Sequence, residues 1–561
     1  MARWYSSCGI LFDLSLLYHY LKKQIMLANS LKFYFLVCLF STSIVFSQDD
    51  FITGQLLDKG NGDPVVFATI RVKDKAIGVI SNLDGSFRIP EKFKEFGSIL
   101  EISSLGYVTK DIFLSELAAN KTNIIRLDPA IELLDEVVVE GIIRAKKKTN
   151  KKERLSAYQI VERAIKNISI NYPISPFTAI GYYRDFQINE NNYSNLNEAL
   201  LEVWDQGFNA SDYETTMVRV FEHKRNLDFP IDSIAEKPYD YLNRGKTIPG
   251  LHLDNYGGNE FTILRIHDAL RNNEINAYDY VNVFKTDFIK NHYFKNEGEI
   301  ILNNEQLYKI TFKKNKGDVT IKGNLFVSQE DFSIYRFEYA MFSYQKGKSR
   351  KERRTKTRRG KKLLFEIIVG YTPIDGLMYP NYYSMNNTFN VKEPPRFKVT
   401  KAHYSINKRY FVISMNNKAN KNDALRKNNY KLKFMGKKIK IGRIVHIEDE
   451  ILLYPDPKIS ATLFEEIAKA DRKDIVDGGN FNIEVKNLRD INNNQINEPT
   501  YKRVKQYREF FVQRIKSKPE AIPVDDFYMN KNLPIFENQP ISRRANFSDY
   551  WMNTPLPNIE E

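Results

Sequence analysis

Three observations predict a mainly β protein, built as a small β-sandwich followed by a larger, mainly antiparallel α+β region with a curved sheet. Short runs of period two recur between turn residues through much of the chain. Tyr and Phe number 33 and 37 against 3 Trp and 2 Cys, a stock of side chains suited to sheet faces rather than to coiled coils or disulfide scaffolds. At 561 residues, with 42% apolar side chains, the chain is long enough for two or three domains and too apolar to be disordered.

Residues 1–47 read as a signal peptide. In KFYFLVCLFSTSIVFSQ a lysine, Lys32, precedes an apolar core that ends in small residues, so cleavage is expected after Ser47. The core is shorter than the ~20 residues that cross a bilayer as a helix. Export is therefore expected, to the periplasm or the periplasmic face of the outer membrane. Met26 stands at a suitable distance upstream, which makes residues 1–25 read as an over-called start. Cys38 lacks the small preceding residue that a lipoprotein signal needs, and Cys8 also lies before the cut. The mature chain is expected to hold no thiol, disulfide or cysteine ligand.

Residues 48–130 read as a sandwich. Val66, Ala68, Ile70 and Val72 share one face of a strand, and Phe87 with Ile89, Leu100 with Ile102, and Ile125 with Leu127 repeat the alternation. Such one-sided strands must close on each other as two sheets. Asp84-Gly85 supplies a tight reversal into Phe87, with Gly85 expected at positive φ.

The order Gly54, Asp63-Pro64, Ala68, Gly78, Ser81-Asn82, Asp84-Gly85-Ser86-Phe87 and Ser104-Leu105-Gly106-Tyr107 resembles the carboxypeptidase regulatory-like domain, a transthyretin-like sandwich. The resemblance implies an accessory fold without a catalytic zinc, carried by many exported proteins of Bacteroidetes-type bacteria, and it implies no peptidase activity. Leu133–Gly141, LLDEVVVEG, is similar to the segment that follows this domain in TonB-dependent uptake receptors, where it lies at the TonB-interaction region; it also reads as a last strand, which is the simpler reading. Too few residues remain for the barrel of such receptors. The chain reads as a barrel-less relative of that exported class.

Residues 131–154 form a linker with a basic run, and 155–430 a mainly antiparallel β region with flanking helices. Ser156 is placed to cap a helix over Ala157–Ile168, whose Ile160, Val161, Ala164, Ile165 and Ile168 fall at helical spacing. GYYRDFQI, NLNEALLEVWDQGF and MVRVFEHKR read as strands, the second equally as a helix. Gly257–Asn273 carries Gly-Gly followed by Asp-x-x-Arg-Asn, similar to uncharacterised exported proteins with the same first domain. From Gly298 to about Ile413 strands follow one another, with an Asn303-Asn304 turn, Tyr308, Ile310 and Phe312 on one face of their strand, then Tyr335, Phe337, Tyr339 and Met341, so that the sheet carries its aromatic residues on one face. The aromatic stripe reads as core packed under a helix; the alternative is an open trough for an acyl chain or peptide, by analogy with lipoprotein carriers. Residues 431–561 form a C-terminal mixed segment, in which LFEEIAKADR and YKRVKQYREFFVQRIK read as surface or docking helices and Trp551 as an anchor for the chain end.

The net charge of +15 resides in two runs: Lys346–Lys362 carries eleven basic residues and one acid, and Arg144–Arg154 seven and one. The rest is near neutral. Local runs of this kind read as a solvated hairpin loop and a solvated linker, and they exclude the spread basic face of a nucleic-acid binder. The sharper reading is docking on anionic lipid or lipopolysaccharide headgroups through Arg350, Arg353, Arg354, Arg358 and Arg359.

No HExxH, GxSxG, Walker loop or GxGxxG is present. The histidines at 223, 252, 267, 292, 403 and 446 form no HxH or HxxE pair. Carboxylates such as Glu198, Glu202 and Asp268 define no glycosidase pair without a measured separation. No catalytic, cofactor-binding or metal-binding residue is therefore named. The expected function is that of a non-enzymatic cell-envelope protein with a binding or assembly role, its partner an envelope protein or lipid. The alternatives are a periplasmic carrier of an apolar ligand and an envelope glycan or peptide hydrolase.

Overall fold

The computed structural model describes residues 51–130 and 155–555 except 74–76, 95–96, 190–191, 252–258, 277–280, 303–304, 345–360, 406, 459–463, 467–468, 470–480, 519–526 and 543–549. The expected signal peptide, the Leu133–Gly141 segment, the linker run 144–154 and Arg350, Arg353, Arg354, Arg358 and Arg359 lie outside the described residues.

The first unit holds β1 (Phe51–Asp58), β2 (Thr69–Val72), β3 (Gly78–Ile80), β4 (Ser86–Pro90), β5 (Ile99–Ser103), β6 (Lys110–Phe113) and β7 (Asn123–Leu127). They form two sheets, β4-β1-β7 and β3-β2-β5-β6, whose apolar faces close on Ile52, Leu56, Ile70, Phe87, Leu100 and Leu127. This is the expected sandwich. Gly85 sits at φ +77°, and a Cβ there would stand 2.3 Å from the Leu56 carbonyl oxygen, so this turn needs glycine. One expectation fails locally: Val66 is 37% exposed and Val65 takes the buried place. Phe67, which follows them at φ +58°, breaks the alternation between these valines and the strand, so the regular strand starts only at Thr69.

The second region opens with α1 (Ala157–Lys166). Its Ser156 cap accepts the Gln159 N–H while the Gln159 side chain accepts the Ser156 N–H, a capping box that contributes about 1 kcal/mol. Ile168, expected at the end of this helix, begins a separate turn, Ile168–Asn171. Next come β8 (Phe177–Asn189), β9 (Asn192–Asp205), β10 (Met217–Arg225), β11 (Lys246–Thr247) and a short helix, α2 (Glu260–Ile266). NLNEALLEVWDQGF, ambiguous in sequence, is therefore strand up to Asp205. A meander follows: β12 (Tyr293–Leu302), β13 (Glu305–Lys316), β14 (Val319–Ser328), β15 (Ile334–Tyr344), β16 (Lys361–Ile374) and β17 (Leu377–Glu393).

The chain then leaves this sheet. β18 (Val399–Ser405), β19 (Tyr410–Met415), β20 (Tyr430–Phe434), β21 (Lys437–Ile439), β22 (Ile441–Ile447), β23 (Glu450–Pro455) and β24 (Phe481–Val485) make two small sheets, β18-β19-β23-β22 and β21-β20-β24. They share a separate core that includes Phe397, Phe411, Ile413, Leu432, Phe434 and Leu453. The expected continuation of the meander to Ile413 thus stops at Glu393.

β25 (Thr500–Lys516) brings the chain back into the main sheet, ordered β10-β9-β8-β25-β17-β16-β15-β14-β13-β12, with β11 beside β17. No pairing joins β10 to β12 among the described residues, so the sheet is open. The helix expected for YKRVKQYREFFVQRIK is overturned. Val504, Phe510 and Val512 face one core while Tyr507 and Phe511 face clusters on the other side. The alternation was obscured because Gln506 and Arg508, which read as surface residues, are buried.

One face of the sheet is covered by α1, α2 and a wide turn at Phe284–Phe288. Phe288 packs on Phe312 at 4.8 Å and Phe284 on Phe337 at 5.5 Å between ring centroids. The aromatic stripe is this closed core rather than an open trough. The opposite face carries the sandwich, through Ile80 and Phe67 against Ile368, Tyr382 and Phe511, and the tail, through Tyr550 against Tyr182, Leu200 and Phe221. The chain also covers its own β10 edge: the Met529 N–H donates to the Val218 carbonyl at 2.8 Å and the Ser542 N–H to the Val220 carbonyl at 2.9 Å. No described helix is long and apolar enough to cross a membrane.

Candidate functional site

The sandwich meets the sheet around Arg184, on β8. Its guanidinium donates to Glu509 on β25, to Asn82 Oδ1 of the sandwich, and to the Asn553 carbonyl of the tail at 3.1 Å. Asn553 Nδ2 donates in turn to the Ile80 carbonyl at 2.7 Å. Within the Ser81-Asn82 motif the two residues divide the work. Ser81 serves the sandwich, donating to the Val65 carbonyl at 2.8 Å and accepting the Ala68 N–H at 2.9 Å, whereas Asn82 faces the sheet. Trp551 anchors the chain end as the sequence suggested, in the sandwich core against Phe93, with its Nε1–H on the Arg88 carbonyl at 3.0 Å.

Beside this junction a cavity of about 350 Å³ opens between the two bodies. Thr69, Ser103, Ser104 and Leu105 of the sandwich form one wall, and Tyr335, Arg336, Thr372 and Asn381 of the sheet the other. Hydroxyls, an amide, a guanidinium and the Glu305 carboxylate beside Ile80, Leu105 and Ile368 suit a ligand that carries both apolar and hydrogen-bonding groups. Part of the Ser104–Tyr107 motif therefore lines the cleft, which the sequence alone did not reveal.

Two further charged groups are buried on the opposite face. In the first, Arg508 on β25 donates to Glu260 Oε2 at 2.5 Å, Asn387 Oδ1 at 2.5 Å and the Tyr239 hydroxyl at 2.6 Å. Lys246 lies 3.7 Å from Glu260 Oε1, with its ammonium over the Tyr239 and Phe389 rings; burial lowers its pKa. Nearby, Asp185 accepts from the Tyr183 hydroxyl at 3.0 Å and from Asn197 at 3.2 Å. Burial, reinforced by the charge of Glu260, pushes Asp185 up to about 7. An acid whose native pKa exceeds its unfolded value binds more protons when folded, so its penalty is absent below the unfolded pKa near 4 and complete only above about 7. Asp185→Asn is expected to gain stability relative to the wild type as pH rises from 4 to 8, measured by urea denaturation across that window; a pH-independent difference would contradict this.

The second group comes from the Asp-x-x-Arg-Asn stretch. Arg265 donates to Asp205 at 2.7 Å and Asp212 at 2.6 Å, and Arg271 donates to Asp205 at 3.0 Å. Burial would raise Asp212, but Arg265 and Arg271 hold it well below the usual carboxylate range. Asp268 accepts the Tyr371 hydroxyl at 2.5 Å and the Leu270 and Arg271 N–H groups; burial raises it to about 6. The pattern thus closes α2 onto β9 through paired charges.

The other residues weighed in sequence fall into structural places. Glu198 accepts from Tyr182, Asn226 and Thr554, and Glu202 lies buried opposite Arg219 in the β9–β10 register. His267 and His292 each bond the carbonyl four residues earlier, Ile263 and Phe288, and burial lowers both to about 4. Among the described residues no group of three His, Cys, Asp or Glu side chains is arranged to hold a metal ion.

Residues 52–139 match the CarboxypepD_reg-like domain family. The chain is also similar to the TonB-dependent receptor SusC of Bacteroides thetaiotaomicron, 33% identical over 120 residues, which cover 20% of this chain and 11% of the receptor. The chain thus spans only about a tenth of that relative. Among solved structures, a DUF1329 family protein from Desulfovibrio piger aligns over 41% of this chain and 85% of its own at 8% identity with a TM-score of 0.18, too low to carry an argument. The regulatory-like domain, the partial likeness to a receptor and the open sheet agree with the resemblance read from the sequence, and they suggest an envelope- or receptor-related protein.

Proposed function

We propose that the protein is an exported, non-enzymatic scaffold of the bacterial envelope that presents the cleft between sandwich and sheet to a binding partner. The observation that carries this reading is the Arg184 junction. A regulatory-like domain tethered as a loose accessory needs no buried arginine shared with a second body and a chain terminus. Holding both walls in fixed relation is what a preformed binding cleft requires. The domain match and the likeness to a receptor's portion support an envelope location, and the buried acids engaged by arginines support a structural rather than catalytic use of those charges. The basic connection with Arg350, Arg353, Arg354, Arg358 and Arg359 would add docking on anionic headgroups.

Cell fractionation tests the location. The chain is expected in the envelope or periplasmic fraction, with its amino terminus at Gln48 by terminal sequencing. Recovery of the untrimmed chain from cytosol would overturn the proposal.

A further inference from the structure

The cleft between sandwich and sheet is built on a glycine that its strand does not need. Register sets Arg336 of β15, Gly370 of β16 and Tyr382 of β17 side by side in the main sheet. In the sandwich, Ile80, Thr69 and Ser103 form a matching row, on the face turned away from Val79, Ile70 and Ile102 in the sandwich core. The two rows meet where Ile80 and Phe67 pack on Ile368, Tyr382 and Phe511, and beside that contact they enclose the cavity of about 350 Å³. Gly370 lies outside the left-handed region, and a Cβ on it would meet nothing nearer than Tyr382 Cβ and the Tyr382 carbonyl oxygen at 3.9 Å. The ladder to β17 bulges just after it, but a bulge without left-handed φ admits any residue. Glycine inside a strand costs stability, and where neither conformation nor crowding calls for it, it marks a place where another group comes close to the backbone.

The polar groups around this glycine are largely unanswered within the protein. Among the described residues, the hydroxyls of Thr69, Ser103, Ser104 and Thr372, all in the cleft lining, make no hydrogen bond to the chain. Three further side chains are half engaged. Asn381 accepts from Arg71 through Oδ1 and keeps its Nδ2 group open; Glu305 accepts from Ser328 Oγ at 2.8 Å through Oε1 and keeps Oε2 open. Arg336 meets Glu338 through Nε at 2.7 Å, which leaves both terminal nitrogens open. Arg336 and Glu305 are the two charged residues of the lining, one of each sign, so the cleft offers donors, acceptors and hydroxyls without net charge.

We propose that the cleft holds the end of a neutral glycan, with one sugar ring seated over the Gly370 backbone. A ring whose hydroxyls both donate and accept can answer the Thr69, Ser103, Ser104 and Thr372 hydroxyls, the Asn381 amide, the Arg336 terminal nitrogens and Glu305 together, while its C–H face lies on Ile80, Leu105 and Ile368. An acyl chain would strip these groups of water and return no hydrogen bond. An extended peptide binds by adding a strand to a sheet edge, whereas both walls here are sheet faces. A simple anion would meet Glu305 and find the Arg336 charge already answered by Glu338. The inference rests on the cleft reading and names the class of ligand for that cleft.

The test is saturation-transfer NMR of the processed chain with lactose, cellobiose, mannobiose and chitobiose, and with trialanine and octanoate as peptide and acyl probes. Transfer is expected to at least one disaccharide and to neither of the other probes. Gly370→Leu, whose side chain would stand where the ring sits, should abolish it, with a melting temperature no lower than that of the wild type. Ser103→Ala with Ser104→Ala leaves the space open and should raise the dissociation constant by roughly tenfold. A disaccharide that binds Gly370→Leu or the alanine pair as tightly as the wild type sits elsewhere, and the inference fails. Transfer to trialanine or octanoate alone, lost in Gly370→Leu, keeps the cleft as a binding site and refutes the sugar; silence from every probe refutes it too. A sandwich that unfolds apart from the sheet would instead remove the cleft reading itself, whatever the probes do.

Discussion

Replacing Arg508 with Leu is expected to lower the unfolding free energy by about 3–5 kcal/mol, the range for breaking a buried ion pair from one side. Arg508 is wholly buried and satisfies Glu260, Asn387 and Tyr239 at once. Leucine would fill much of the space yet leave Glu260, whose side chain is 18% exposed, with Lys246 at 3.7 Å as its remaining charge partner among the described residues. Arg508→Lys keeps the charge but not the planar fork, so it should recover only part of the loss. Urea denaturation of the three proteins reads the order directly, and equal midpoints for Leu and Arg would show that the cluster contributes nothing to the sheet.

Trp551→Ala should cost a similar amount, about 3–5 kcal/mol, but its main consequence is different in kind. Trp551 fills the sandwich core, and two residues further on Asn553 bridges Arg184, Asn82 and Ile80. Losing the anchor loosens the tail's hold on the sandwich, while Tyr550 and Thr554 still bind it to the sheet. Amides of β3 and β4 should then exchange hydrogen faster, while those of β14 and β15, far from the tail in the sheet order, keep their protection. Uniform acceleration across both would mean that the tryptophan supports the whole fold rather than the junction.

The sandwich was legible because its signals are local: Gly85 follows from a turn that admits little else, and Ile70, Phe87 and Leu100 announce their faces by alternation. The Ser156 capping box was equally readable, since all its partners lie within four residues. What escaped the sequence depends on distant partners. β25 joins β8 and β17, so its arginine and glutamine could be buried only because Glu260, Asn387 and Gln187 wait across the fold; read alone, the stretch looks like an amphipathic helix. The cleft escaped for the same reason, because its walls are more than two hundred residues apart. The Asp-x-x-Arg-Asn pattern was visible, but its meaning as a charge closure needed Asp205 and Asp212.

Native-state hydrogen exchange in low urea tests most directly whether sandwich and sheet are one body. Protected amides of β5 and of β15 should merge into a single opening with a common free energy and a common urea slope, because the Arg184 junction and the tail couple them. An opening of β5 several kcal/mol below that of β15, with a smaller slope, would show a sandwich that unfolds on its own and would contradict the scaffold.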